Sequence, residues 1–97
     1  MKKIYRREGI VNRKIHDLFY LIDIKMNYSQ DRCYLYQINE IGNYIWESLD
    51  LVDDIESMTD LLIKEINDDI DWKLVYDDVK DFVNFLCCEG YLVKMEG

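Results

Sequence analysis

The sequence predicts an α+β fold in one domain, residues 1–97, in which three β-strands precede three α-helices. Three observations lead to this class. Short apolar runs rich in Tyr, Ile and Leu, separated by turn residues, occupy the first part of the chain and are typical of strands. From residue 39 onward the apolar residues recur at helical spacing. Hydrophobic residues make up 49% of the chain, which indicates a packed core rather than disorder.

The three strands are expected before residue 39. Apolar residues within 10–15 indicate the first strand, and residues 19–26 indicate the second. Polar residues within 27–31 then break the pattern. Residues 32–38 form the predicted third strand, because this segment is rich in Tyr and ends at a polar residue, Asn39.

Two helices with one apolar face each are predicted between residues 39 and 66. Asn39 and Asp54 can cap their N-termini, because a side-chain oxygen accepts hydrogen bonds from the free N–H groups of a first helical turn. Residues 50–53 and 67–69 interrupt the helical pattern. The apolar faces consist of Ile41, Tyr44, Ile45 and Leu49 with flanking Trp46 in the first helix, and of Ile55, Met58, Leu62 and Ile66 in the second.

A third helix is predicted to start near Asp71 and to stop at Gly90, a residue suited to the left-handed conformation at a helix C-terminus. Residues 91–93 then form a short closing apolar segment. Leu74 and Phe85 fall on a shoulder of the helix outside the core stripe. This shoulder is either plain surface or one wall of an apolar groove. The stripe itself spans about 120° of arc and consists of Trp72, Val75, Tyr76, Val79, Phe82, Val83 and Leu86.

No catalytic or metal-binding motif is found in the sequence. It lacks a nucleophile elbow, a Gly-rich phosphate loop and a helical pair of His ligands. His16 is expected to be a surface residue, and the paired acidic residues lack the spacing of a calcium-binding loop. Cys33, Cys87 and Cys88 lack the spacing of a zinc site and are interpreted as free thiols in a reducing compartment. We therefore expect no enzyme activity, no cofactor and no bound metal.

Charge is distributed unevenly along the chain. Residues 1–16 carry six Lys or Arg and one acid, a net charge of +5, whereas the remainder carries six against nineteen acids, a net charge of −13. Such an acidic body disfavours nucleic acid, whose binding depends on Lys and Arg. No apolar run approaches the roughly 20 residues that span a bilayer, and no apolar segment of a secretory signal follows the basic N-terminus. We therefore expect a cytoplasmic protein that binds neither nucleic acid nor membrane.

Two segments of the chain carry a family resemblance. Residues 34–46, YLYQINEIGNYIW, join a strand that ends at an Asn to a helix with an early Gly and an Ile-Trp pair. Residues 78–92 follow the pattern DVxxFVxxLxxxGYL. In this order and spacing the segments resemble the PqqD-like family, also called RiPP recognition elements, over about residues 34–93. The family pattern usually has Asp-Gly where this chain has Asp50-Leu51.

The resemblance implies a winged helix-turn-helix arrangement and a non-catalytic peptide chaperone. Family members bind the leader segment of a ribosomally made precursor peptide and present its core to a maturase such as a radical SAM enzyme or a leader protease. The leader adds as a strand beside residues 32–38 and lies against the third helix. The side of that strand which faces the groove stays open. The expected peptide-binding residues are Cys33, Tyr34, Leu35, Tyr36, Gln37, Leu74, Val75, Asp78, Phe82 and Phe85.

Two other functions compete with this hypothesis. The first is a winged-helix DNA-binding regulator, which needs a basic recognition helix. Residues 71–89 carry two Lys against five acids, so this function is disfavoured. The second is a dimerising adaptor, possible because an unpaired edge strand can pair with its copy in a homodimer.

Overall fold

The computed structural model describes residues 2–24, 35–66 and 69–96. Within these ranges the protein has the predicted α+β class, with N-terminal strands followed by three helices in a winged-helix-like arrangement. The elements are β1 (Lys2–Arg6), β2 (Ile10–Ile15), β3 (Leu18–Asp23), β4 (Leu35–Ile38), α1 (Glu40–Ser48), α2 (Ile55–Ile66), α3 (Trp72–Cys88) and β5 (Leu92–Glu96).

Strands β2, β3 and β4 form an antiparallel sheet in that order. A two-residue turn joins β2 to β3, and both of its residues have positive φ, 51° at His16 and 68° at Asp17. This conformation matches the right-handed twist of a hairpin, so the turn fixes the register in which Ile15 faces Leu18. The predicted first strand is confirmed as β2, and the second is confirmed as β3 over Leu18–Asp23. Residues 25 and 26 of the predicted second strand lie outside the described residues. Residues 32–34 of the predicted third strand lie outside the described residues, and the remainder forms β4.

A second, two-stranded sheet pairs the two ends of the chain. Strand β1 was not predicted. Residues 92 and 93 of the closing apolar segment begin strand β5, which pairs with β1 in antiparallel register. Ile4 of β1 is buried, and its N–H donates to the Asp53 carbonyl at 2.7 Å. Because β1 has only two apolar residues, its strand conformation depends on pairing partners that are distant in sequence.

The two predicted helix caps, Asn39 and Asp54, are confirmed, and Asp71, at the predicted start of the third helix, caps that helix as well. Asn39 Oδ1 accepts from the Gly42 N–H at 2.7 Å, Asp54 Oδ2 from Ser57 at 3.3 Å, and Asp71 Oδ1 from Lys73 at 3.2 Å. These bonds satisfy N–H groups that have no partner within the helix. None of the helices within the described ranges is long and apolar enough to cross a membrane.

The chain leaves α3 and α1 in two different ways. Gly90 has a φ of 88° directly after the α3 C-cap, as the sequence indicates. Leu51, which stands where the family pattern has Gly, lies in the exposed turn after α1. Among the described non-Gly residues, His16 and Asp17 have positive φ and Leu51 does not. The turn therefore tolerates Leu without backbone strain.

The hydrophobic core lies between the sheet and the three helices. Two residues assigned to the core stripes are in fact at the surface: Ile41 is 50% exposed and Trp72 is 40% exposed. Trp72 instead stacks on Tyr76 and donates its indole N–H to Asp60 at 2.7 Å. The buried apolar residues are Ile4, Ile10, Leu21, Ile38, Ile45, Trp46, Met58, Leu62, Val75, Val79, Val83, Leu86 and Leu92.

Candidate functional site

Strand β4 is an edge strand of the three-stranded sheet. It pairs with β3 on one side, and among the described residues no strand pairs with it on the other. The unpaired N–H and C=O groups of such an edge form a template for another extended chain.

The hairpin register determines which backbone groups of β4 face outward. In a hairpin with a two-residue turn, the flanking pair, here Ile15 and Leu18, is hydrogen-bonded. Bonded and non-bonded pairs alternate along an antiparallel ladder, so Phe19 and Leu21 direct their backbone groups toward β4 rather than β2. Their partners there are the even-numbered residues of β4. The N–H and C=O groups of Leu35 and Gln37 therefore point away from β3, toward the open edge.

The side chains of β4 are divided between two faces. Ile38 is buried in the core and Tyr36 points the same way, with its ring centroid 5.5 Å from that of Phe85 and 5.7 Å from that of Tyr91. Gln37 is exposed on the opposite face. The face of β4 that meets α3 is thus the face of Tyr36 and Ile38.

Three of the ten predicted site residues have no described side chain. Cys33 and Tyr34 lie outside the described residues, and Leu35 is described by its backbone alone. Their predicted roles stay predictions.

A pocket of about 470 Å³ lies between the start of α1, α2 and α3. Four predicted residues line it: Leu74, Val75, Asp78 and Phe82. Phe85 does not line the pocket but stands one helical turn further along α3, next to Tyr36. The prediction missed the remaining described lining residues, which are Asn39, Ile41, Gly42, Ile45, Leu62, Ile66, Ile70 and Val79.

The pocket adjoins the C-terminal end of β4, and we call the pocket and the open edge of β4 together the groove. Asn39, which lines the pocket, directly follows the last residue of β4. Phe82 and Phe85 are three residues apart on α3, and such residues are neighbours on a helix surface. They extend the apolar surface from the pocket to Tyr36. Leu74 is 62% exposed and Phe85 is 43% exposed, so both are accessible to a partner.

Gly42 sets how closely α1 approaches α3 at the pocket. A Cβ at this position would lie 2.9 Å from Phe82 Cζ and 3.2 Å from Asn39 Oδ1. The early Gly of α1 therefore leaves room for the Phe82 ring, and this ring forms part of the pocket wall. This role for a glycine within a helix follows from a close approach rather than from an unusual φ.

Groups that could support other chemistry lie elsewhere. Among the described residues, no cluster of three or more His, Cys, Asp or Glu is placed to hold a metal ion. His16 is exposed in the hairpin turn, as expected. Cys87 and Cys88 are free thiols. Burial raises the pKa of the Cys87 thiol above its ordinary value, although nearby Lys94 opposes the shift. A raised pKa leaves less thiolate and makes Cys87 a weak nucleophile.

The fold is similar to that of a solved structure, TbiB1 in complex with the TbiA(beta) leader peptide. The TM-score is 0.71 and the sequence identity 20%, over 95% of this chain and 98% of that one. Neither a protein-family model nor a curated protein matches the chain. At this level of identity the likeness establishes the shared fold.

Proposed function

We propose that this protein is a non-catalytic peptide chaperone that binds the leader segment of a ribosomally synthesised precursor peptide. The leader adds to β4 as an antiparallel or parallel strand and is held against α3. The observation that carries the proposal is the groove, in which a strand with an open edge ends at an apolar pocket.

The physical basis is β-augmentation combined with an apolar anchor. The outward N–H and C=O groups of Leu35 and Gln37 offer hydrogen bonds to the main chain of any extended peptide, regardless of its sequence. Each such bond contributes about 0.5–1.5 kcal/mol net. An apolar side chain that fills the pocket contributes about 1.5–3 kcal/mol by leaving water. Affinity then comes mainly from the edge, and selectivity from the pocket.

Two similarities support a leader peptide as the ligand. TbiB1, whose fold this chain shares, is described in complex with a leader peptide. The segments 34–46 and 78–92 resemble the PqqD-like family, to which we assign the protein as part of this proposal. The core of the precursor whose leader is bound is then presented to a maturase, such as a radical SAM enzyme or a leader protease. We place this step in the cytoplasm, where ribosomally made precursors arise.

The decisive experiment is a titration of isotope-labelled full-length protein with the leader of a precursor encoded beside this gene. Amide chemical shifts should change along β4 and on the exposed side of α3, and the amides of Leu35 and Gln37 should gain protection from exchange. Changes that miss both β4 and α3 would contradict the proposal.

A DNA duplex is the control ligand in the same titration. The exposed surface of α3 carries Asp77, Asp78 and Asp81, which repel phosphates. Binding to the duplex should be absent at physiological salt, where the Debye length is about 8 Å. Salt-resistant, sequence-specific DNA binding would instead favour a winged-helix regulator.

A further inference from the structure

The shoulder of α3 that faces the groove alternates apolar and acidic side chains. At about 100° per residue, Asp78 and Asp81 lie on the same side of the helix as Leu74, Phe82 and Phe85. Both lysines of α3, at positions 73 and 80, lie about 140–160° around the axis from Asp78. The helix therefore separates its positive charges from the groove.

The acidic groups at the groove are not neutralised within the described part of the chain. Asp78 is exposed, and the other described residues that line the pocket are uncharged. Neither Asp78 nor Asp81 makes an ion pair with a described residue. Asp77, by contrast, pairs with Lys73 at 3.2 Å. Within the described residues, negative charge is thus left uncompensated next to an apolar pocket.

We infer that the groove selects a basic peptide, in which a Lys or Arg pairs with Asp78 beside the apolar residue that fills the pocket. This inference rests on the proposed function and specifies its ligand. A cation is attracted to the free carboxylate, whereas an acidic residue at the same place meets like charge in a partly desolvated groove. The net charge of −8 adds a weaker attraction that does not depend on register.

The test uses three synthetic peptides that alternate apolar with variable positions, the pattern of a strand with one buried face. They share length and apolar residues, and the variable positions are all Lys, all Gln or all Glu. Each is titrated into the full chain at low ionic strength. The Lys peptide should bind about tenfold more tightly than the Glu peptide, with the Gln peptide between them. The ratio should approach one at about 1 M salt, where the Debye length is about 3 Å.

Two variants and a matched control locate the effect. Asp78→Asn should reduce the Lys-to-Glu affinity ratio by about two- to fivefold, and Asp78→Lys should reduce it further. The control Glu56→Gln changes the net charge by the same amount as Asp78→Asn. Glu56, however, precedes the pocket residues Leu62 and Ile66 of α2 by six and ten residues. These separations correspond to about 9 and 15 Å along α2. This control should leave the ratio nearly unchanged, and circular dichroism checks the fold of each variant.

The outcomes separate this inference from the proposed function. If the three peptides bind equally and all shift the β4 amides, peptide binding stands and charge selection is wrong. Charge selection at Asp78 is also wrong if Glu56→Gln lowers the ratio as much as Asp78→Asn does. If neither these peptides nor a natural leader shift the amides of β4 or α3, both the inference and the proposed function are overturned.

Discussion

The replacement Phe85→Ala tests whether the groove binds peptide. Phe85 is 43% exposed and does not belong to the buried core. Its ring centroid lies 5.5 Å from that of Tyr36. Removing the ring therefore deletes an anchor that a bound peptide can cover. We expect peptide affinity to fall by about 1–3 kcal/mol, which is roughly 5- to 150-fold in Kd. The lost contact with Tyr36 should lower the free energy of unfolding by only about 1 kcal/mol.

A core variant provides the matched control. Val79 is 1% exposed but also lines the pocket, whereas Val83 is fully buried and does not. Val83→Ala should lower the free energy of unfolding by about 1–3 kcal/mol through loss of buried methyl groups. A domain with the typical 5–15 kcal/mol stays folded after such a loss, so its peptide affinity should be unchanged.

Two measurements on each variant decide the comparison. Urea unfolding gives the free energy of unfolding, and titration with the labelled leader gives Kd. The reasoning is refuted if Phe85→Ala leaves Kd unchanged, or if Val83→Ala weakens binding as much as Phe85→Ala does.

Three further predictions concern the edge, the pocket and the thiols. Leu35→Pro removes an N–H that faces the open edge, so it should weaken peptide binding without unfolding the protein. Tyr36→Pro removes an N–H bonded to β3 and should unfold the sheet. Titration with peptide and circular dichroism check both variants. Gly42→Ala should push Phe82 into the pocket and weaken binding by about 1 kcal/mol or more, with little net change in urea unfolding because Ala favours the helix. Iodoacetamide at about pH 8 should modify exposed Cys88 faster than Cys87, whose thiol pKa is raised, as read by peptide mass spectrometry; equal rates would contradict the burial of Cys87.

The helices were predictable because their signals are local. Each cap acts on N–H groups two or three residues away, as Asn39 does with Gly42. The groove shoulder of α3 follows from helical periodicity alone, so Leu74 and Phe85 could be separated from the core stripe. The same periodicity wrongly assigned Ile41 to the core. Periodicity shows which face of the helix a residue occupies, but not whether another element packs against that face at the end of the helix.

Features that depend on distant partners were not predictable. Strand β1 contains too few apolar residues to be recognised without β5, which lies at the other end of the chain. The pocket wall formed by Gly42 and Ile45 of α1 meets α3 only through helix packing. The side of β4 that meets α3 was left open by the sequence. It is fixed by the register of the three-stranded sheet, and hence by the turn at His16 and Asp17.

The energetics explain why the edge and the pocket are needed together. Leu35 and Gln37 offer about four outward hydrogen bonds, worth about 2–6 kcal/mol in total. One apolar anchor adds about 1.5–3 kcal/mol. Association itself costs about 4–15 kcal/mol, and the edge and the anchor together offset more of this cost than either does alone. An unrelated extended segment makes the hydrogen bonds to the edge but does not fill the pocket. An apolar side chain outside a strand fills the pocket but makes no hydrogen bonds to the edge. A groove of this kind therefore retains peptides that satisfy both, and the charge of Asp78 adds a further selection among them.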